Sequence, residues 1–151
     1  MDEFTKDWLN DLLLSVKRHT DEKTWSAIMN DCSLRCSDHW IIKAKVLRNT
    51  SDNKNIDALI KSFKSILPGD SSGLVRKNDI IMWDFQNDTC PCPIAGFIKD
   101  KSLQCQCSIA HVKLMLEALL NKSLEVNLIS SFHRDGKSCM FEVCGIYKTS
   151  G

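Results

Sequence analysis

Cysteines are the residues in this sequence whose type and spacing most clearly suggest chemistry. Of the eight cysteines in 151 residues, four form two Cys-x-Cys pairs, Cys90 with Cys92 and Cys105 with Cys107. Thiolates bind zinc well, and a structural zinc site needs four ligands in a tetrahedral arrangement. Two such pairs that approach each other supply four sulfurs, so the spacing predicts a cysteine cluster with zinc as its cofactor. On an extended strand the same spacing simply places both side chains on one buried face.

A second group of candidates lies upstream on a predicted helix. Cys32 and Cys36 are one helical turn apart and His39 follows them, so these three are secondary candidates for a metal or redox site. The alternative is that both thiols are buried in the core, because they share the apolar stripe of the helix. His111 is a further secondary candidate, since it follows Cys107 closely and can act as a metal ligand or as a general base.

The composition limits the classes of function. Twenty basic against 19 acidic residues leave a net charge of +1, which provides no basic surface for nucleic acid. The N-terminus is acidic, and the apolar run at 12–14 is too short for a signal sequence or a membrane span. We therefore predict a cytoplasmic protein without nucleic-acid or membrane partners, and a homodimer is left open. Thiols stay reduced in the cytoplasm, which favours metal binding or catalysis over disulfides.

Hydrophobic periodicity predicts a helical first part over about residues 4–67. The first helix is predicted to be amphipathic, and its apolar stripe carries Phe4, Trp8, Leu9, Leu12, Leu13 and Val16. Pro68 and Gly69 stop the last of these helices. Four helices are expected, over residues 4–18, from Thr20 to Cys36, from Ser37 or Asp38 to about 48, and over 56–67.

A sheet-containing, cysteine-rich part is predicted over about residues 80–148. The fold class is therefore α+β, with one domain over 1–151 in which N-terminal helices pack on an antiparallel sheet and a helix and β-hairpin end the chain. The expected elements are a loop over 70–79, a strand over 80–85, a turn over 94–98, a helix from its Ser108 cap through Asn121, and strands over 124–128 and 139–144 around a turn at 134–137.

The second half resembles a known group of domains. The order Cys-x-Cys-Ser, helix, Glu125-Val126-Asn127-Leu128 and then Ser130 to Phe141 resembles the C-terminal part of the 4-vinyl reductase-like domains. It is also similar to the L-2-amino-thiazoline-4-carboxylic acid hydrolase-like bacterial proteins. The resemblance implies a fold akin to the heme-nitric-oxide-binding domains and the subunits of vesicle-transport particles. It also implies an apolar pocket for a small ligand.

Some sensory relatives in that superfamily hold zinc with cysteines near the last helix and the last hairpin. On this sequence Cys105 or Cys107 and Cys139 fall at such places. The acidic and second cysteine ligands expected on the penultimate strand are replaced by Leu128-Ile129-Ser130-Ser131, and Cys90 and Cys92 can substitute for them.

Three functions follow as alternatives. The leading prediction is a small-molecule-binding or sensor-type module that takes a small apolar ligand and carries a zinc-binding cluster. The second is a thiol-dependent hydrolase of a small heterocycle, with Cys92, Cys105 or Cys107 as nucleophile and His111 as base. The third is an interaction module whose cysteines are buried structural residues. The predicted metal ligands are Cys90, Cys92, Cys105, Cys107 and Cys139.

Overall fold

The structure, a computed structural model, describes residues 2–67, 73–86, 89–90, 92, 94–96, 98–100, 105–136 and 138–146. Within these residues the α+β prediction is confirmed, with helices first and strands at the end of the chain. The strands form one antiparallel sheet in the order β1-β2-β4-β3. The elements are α1 Glu3–His19, α2 Glu22–Thr50, α3 Ile56–Lys64, β1 Leu74–Lys77, β2 Ile80–Asp84, α4 Gln106–Leu120, β3 Glu125–Ser130 and β4 Met140–Cys144.

The helix α2 corrects the prediction of two helices that meet near Ser37. It is one helix of 29 residues. No glycine or proline occurs from Asp21 to Thr50, so nothing in the backbone stops the helix there. Ser37 turns its hydroxyl back to the Ser33 carbonyl, at 2.7 Å, and thus satisfies its polar group inside the helix. The N-cap is Asp21 rather than Thr20, and it accepts a bond from the Thr24 N–H at 2.7 Å.

Three further boundaries differ from the prediction. Strand β1 lies inside the segment predicted as a loop, and it pairs with β2 across a turn in which Asn78 has a φ of +55°. The helix α3 ends at Lys64 instead of Leu67, and the predicted stop at Pro68 and Gly69 lies outside the described residues. The helix α4 starts at Gln106, before the predicted Ser108 cap.

The main core lies between the inner face of the sheet and the helices α2, α3 and α4. On the sheet Trp83 faces Phe141, and Ile81 faces Val143, in the register of β2 and β4. These side chains are at most 2% exposed. Alternate residues of the two strands therefore close one side of the core. Of the helices in the described residues, none combines the length and the hydropathy needed to cross a membrane.

The predicted apolar stripe of the first helix is buried only in part. Phe4 and Trp8 are 78% and 57% exposed, and Leu12 is 43% exposed. Leu13 and Val16 of that stripe, together with Leu14, pack onto a smaller core cluster formed by Trp25, Met29 and Ile98. The predicted burial of Cys32 and Cys36 is also wrong, because both cysteines are exposed on α2.

Asn10 of α1 forms hydrogen bonds with the segment between the two Cys-x-Cys pairs. This side chain is only 5% exposed, and its oxygen accepts bonds from the N–H groups of Lys99 and Asp100 at 2.6 and 3.3 Å. Its amide nitrogen donates to the Lys6 carbonyl at 2.8 Å. A second link is Lys99, whose ammonium group pairs with the Asp7 carboxylate. The path of the cysteine-bearing loop therefore depends on α1.

Replacing Asn10 should weaken this attachment. We expect Asn10→Ala to lower the free energy of unfolding by about 1–3 kcal/mol, because two loop N–H groups lose their acceptor. Urea denaturation measures this change. Asn30→Ala, at an exposed position of α2, is the matched control and should change stability by less than about 0.5 kcal/mol. Equal losses in the two variants would show that Asn10 does not hold the loop.

Candidate functional site: a thiol-lined pocket

Six of the eight cysteines line one cavity of about 360 Å³. Its walls come from four separate places: the helix α2, the segments that follow β2, the N-terminal end of α4, and the region from the β3–β4 turn into β4. We call this cavity the thiol pocket. Its lining consists of Ser33, Cys36, Trp40, Phe85, Cys90, Cys92, Ile94, Cys105, Cys107, Ser108, His111, His133, Cys139 and Phe141.

The structure brings together all five of the predicted metal ligands, Cys90, Cys92, Cys105, Cys107 and Cys139, in this lining. Of the secondary candidates, Cys36 and His111 also line the thiol pocket. Cys32 and His39 are not among its described lining residues. The His39 ring instead packs edge-on against Trp40, with ring centroids 5.4 Å apart.

Cys92 and Cys107 are two thiols of the thiol pocket that shift each other's pKa. The Cys107 thiol donates a hydrogen bond to the Cys92 sulfur, and this bond is the main reason that the pKa of Cys92 falls from 9.0 to about 6. The N–H groups of Ile94 and Ala95 lower the pKa of Cys92 further, while burial opposes them. The same bond, together with burial, raises the pKa of Cys107. At neutral pH Cys92 is therefore a thiolate beside a neutral thiol.

Two other pocket cysteines keep their protons. Burial raises the pKa of Cys139 to about 11, although the Phe132 N–H acts in the opposite direction. Cys90 raises the pKa of Cys139 further. Burial likewise raises the pKa of Cys105, and a bond from the Ser131 hydroxyl offsets only part of that effect. Because only a thiolate is a strong nucleophile, Cys92 is more reactive than either of these two thiols at neutral pH.

The start of α4 places Cys107 against Cys92. Cys105 is the N-cap residue, with a left-handed φ of +73° and no side-chain capping bond. Its carbonyl accepts the first helical bond from the Ile109 N–H at 3.2 Å. A left-handed conformation costs a non-glycine residue about 1–3 kcal/mol, so its surroundings must hold it. Cys107 then lies in the first turn of α4. At this end of the helix, the dipole favours a negative charge such as that of the Cys92 thiolate.

His111 is held by α2 across the thiol pocket. Its Nδ1 lies 2.6 Å from the Ser37 hydroxyl, and that hydroxyl donates to the Ser33 carbonyl. A hydroxyl has only one proton, so it accepts from His111 Nδ1–H. This hydrogen-bond assignment leaves the lone pair of Nε2 for a ligand or a proton. Nearby, the fully buried Ser33 hydroxyl has no hydrogen-bond partner among the described residues.

Burial also lowers the pKa of His111 below 6.5. The unfolded chain thus takes up this proton at a higher pH than the folded protein does. The stability contributed by the neutral ring is fully present above pH 6.5 and is lost as the pH falls through the lower folded pKa. We expect the wild type to lose more unfolding free energy than His111→Gln when urea denaturation is moved from pH 7.5 to a pH near 5. Equal losses would contradict a buried neutral His111.

Several pocket residues escaped the sequence analysis. Ser33 and Trp40 lie on one face of α2 with the predicted candidate Cys36, at spacings of three and four residues, which is the signal that groups them. The prediction divided α2 into two helices, so these positions were not recognised as one face of a single helix. His133 follows β3 in a turn, and its place in the lining depends on the β3–β4 connection, for which the sequence gives no signal.

Among the described residues, no three or more His, Cys, Asp or Glu side chains form a group that could hold a metal ion. The six cysteines that line the thiol pocket surround the cavity. All eight cysteines are free.

The fold and the thiol pocket define an α+β protein with a cysteine-lined cavity. Residues 1–149 match the model of DUF6144, a family of unknown function, and the chain therefore belongs to this family. No curated protein and no solved structure matches the chain. The resemblance to the 4-vinyl reductase-like domains stays a prediction.

Proposed function

We propose that this protein is a small-molecule-binding module of the sensor type, and that its thiol pocket receives a small thiophilic ligand in a reducing cytoplasm. The observation that carries this proposal is the convergence of six cysteines from separate parts of the chain on one cavity. Zinc is the first ligand to test, because soft thiolates and imidazole are its preferred donors.

The side chains that line the thiol pocket offer groups that can bind a metal ion or a small ligand. Cys92 is already a thiolate, which is the form that binds a metal, while its neighbours must release protons. His111 has an unprotonated Nε2 in the hydrogen-bond assignment given above, and the buried Ser33 hydroxyl is available to a polar group. Phe85 and Phe141 add aromatic walls that suit an apolar body. Zinc binding at Cys92 would then draw further pocket thiols toward it.

Metal titration of the reduced protein under anaerobic conditions tests this function. We expect one equivalent of Zn²⁺ to bind in competition with a chromophoric chelator. Cys92→Ser should weaken binding by more than about 100-fold, because it removes a direct ligand rather than an outer partner. Cys32→Ser removes a thiol that is not in the described lining, and it is the matched control. Equal affinities of the two variants, or no binding by the wild type, would overturn the zinc proposal.

A second candidate function is thiol-dependent catalysis on a small substrate. The observation that favours it is the lowered pKa of Cys92 inside a cavity, a combination typical of nucleophilic cysteines. His111 is the base predicted from the sequence. In the structure the thiol of Cys107 is the group that hydrogen-bonds to Cys92, and His111 Nδ1 is engaged by Ser37. An interaction module with inert cysteines would instead show neither zinc binding nor a fast-reacting thiol.

A further inference from the structure

Two serines of α2 lie one helical turn apart at the thiol pocket, and they differ in their hydrogen bonds. The Ser37 hydroxyl donates to the Ser33 carbonyl at 2.7 Å, which is a usual arrangement for a serine inside a helix. Ser33 lines the thiol pocket and is 0% exposed, and its hydroxyl has no hydrogen-bond partner among the described residues. An unpaired buried hydroxyl costs free energy, and native proteins rarely keep one. The Ser33 hydroxyl is therefore a polar group that a ligand in the cavity can satisfy.

His111 offers a second polar atom in the same lining. Its Nδ1–H donates to the Ser37 hydroxyl at 2.6 Å, so Nε2 keeps its lone pair. Both polar groups are positioned through Ser37, because the His111 ring is bonded to it and Ser33 precedes it by about 6 Å along the axis of α2. Ser33 can donate a hydrogen bond and Nε2 can accept one. A ligand hydroxyl can use both groups, whereas an ether or a ketone lacks the proton for Nε2.

The charges of the lining favour a neutral ligand group at this place. Among the described residues that line the thiol pocket, there is no lysine, arginine, aspartate or glutamate. A carboxylate or a phosphate that leaves water for this cavity would lack a cationic partner, which is costly. An ammonium group has no lone pair with which to accept the Ser33 proton. A hydroxyl meets both conditions without a charge.

Aromatic rings supply the apolar part of the lining. Phe85 and Phe141 line the cavity and pack edge to face, with ring centroids 5.4 Å apart and an interplanar angle of 76°. Trp40 lines it from α2, two turns after Ser33 on the same face of the helix. Such rings pack well against another aromatic ring in edge-to-face or offset arrangements. The volume of about 360 Å³ is more than twice the roughly 150 Å³ of a cavity that holds benzene, so a two-ring molecule fits.

We propose that the thiol pocket binds small neutral aromatic alcohols of the phenol class, with the hydroxyl at Ser33 and His111 and the rings beside Trp40, Phe85 and Phe141. This inference rests on the proposed small-molecule-binding function and names the class of organic ligand. The recognition uses no cysteine, so it can be measured separately from zinc binding in the same cavity.

The test measures binding of 2-naphthol, a two-ring phenol, to the reduced protein at pH 7 by ligand-observed NMR. We expect a Kd below about 1 mM and nuclear Overhauser effects between the naphthol rings and Phe141. Ser33→Ala should weaken binding of 2-naphthol about fivefold, because the ligand oxygen loses a donor. The same substitution should leave the Kd of 2-methylnaphthalene unchanged, since that molecule keeps the rings and lacks the hydroxyl. The anion 2-naphthoate should bind at least about tenfold more weakly than 2-naphthol.

Urea denaturation gives a second readout of the Ser33 hydroxyl. Ser33→Ala removes an unpaired buried group, so it should raise the urea midpoint by more than Ser26→Ala, which replaces an exposed serine of the same helix. Ser26→Ala should leave the affinity for 2-naphthol unchanged. Equal affinities of the wild type and Ser33→Ala for 2-naphthol, an equal loss for 2-methylnaphthalene, or a lowered urea midpoint in Ser33→Ala would overturn the inference.

Zinc titration of the same preparation separates this inference from the zinc site. A protein that binds Zn²⁺ but not 2-naphthol overturns the inference and leaves the zinc site standing. A protein that binds 2-naphthol through Ser33 but not Zn²⁺ supports the inference and refutes only the zinc site.

Discussion

Iodoacetamide is expected to alkylate Cys92 about 20 times faster than an ordinary exposed thiol at pH 6. A thiol with a pKa of about 6 is half ionised there, whereas one at 9.0 is about a thousandth ionised. The lower basicity of the thiolate reduces its intrinsic reactivity by about 20-fold over three pKa units. The roughly 500-fold advantage in ionisation therefore exceeds the loss of nucleophilicity. At pH 7 the net advantage falls to about fourfold, so pH 6 is the better condition.

The pH dependence of alkylation and substitutions of Cys107 show whether the lowered pKa of Cys92 causes its fast alkylation. The fast phase should titrate with a midpoint near pH 6 and should disappear in Cys92→Ser. Cys107→Ala removes the donated hydrogen bond, so it should raise the pKa of Cys92 toward 9.0 and slow alkylation at pH 6. Cys107→Ser keeps a donor and should retain much of the fast phase. Quenched mass spectrometry measures every cysteine separately, and uniform slow alkylation would contradict an activated Cys92.

Trp25→Ala, in the small core cluster on which Cys107 packs, is expected to destabilise the protein strongly. Trp25 is 1% exposed, packs with Met29 and Ile98, and donates its indole N–H to the Gln106 side chain. Truncating a buried tryptophan costs about 3–5 kcal/mol, because it removes apolar contacts and leaves a cavity. Since Cys107 packs on the same cluster, its contact with Cys92 should loosen as well.

Two variants calibrate this prediction. Trp25→Phe keeps an aromatic ring but loses the bond to Gln106, so we expect a smaller loss, of about 1–2 kcal/mol. Trp8→Ala removes a tryptophan that is 57% exposed, and it should cost less than about 1 kcal/mol. Urea denaturation gives the three values, and iodoacetamide at pH 6 reports the state of the cysteine pair. Similar costs for Trp8→Ala and Trp25→Ala would show that the small core does not support α4.

The two Cys-x-Cys pairs could be predicted as partners in one region because their spacing is local. That Cys36 lines the same cavity could not be predicted. It depends on α2 continuing past Ser37 as one helix and on the packing of α2 against α4. The pairing of Cys92 with Cys107 was equally inaccessible. It depends on the path of the intervening chain. Part of that path is fixed by helices distant in sequence, because Asn10 of α1 bonds to Lys99, and Trp25 and Met29 of α2 pack against Ile98.

The same limits apply to the fold. Alternating apolar residues were enough to predict β2, β3 and β4, whereas β1 is four residues long and contains Arg76 and Lys77, so its apolar signal is weak. The stripe of α1 had the correct period, but only part of it is covered: Leu13 and Val16 pack on the small core cluster, whereas Phe4, Trp8 and Leu12 are exposed. Periodicity shows that a helix has an apolar face, and tertiary packing decides which part of that face is covered.

X-ray absorption at the zinc edge tests most directly the claim that the thiol pocket binds a thiophilic ligand. Reduced wild-type protein would be loaded anaerobically with one equivalent of Zn²⁺, with Cys92→Ser as the comparison. The predicted first shell contains at least three sulfurs at about 2.3 Å, one of them lost in the variant. A first shell of oxygen and nitrogen alone, unchanged by the substitution, would contradict the account.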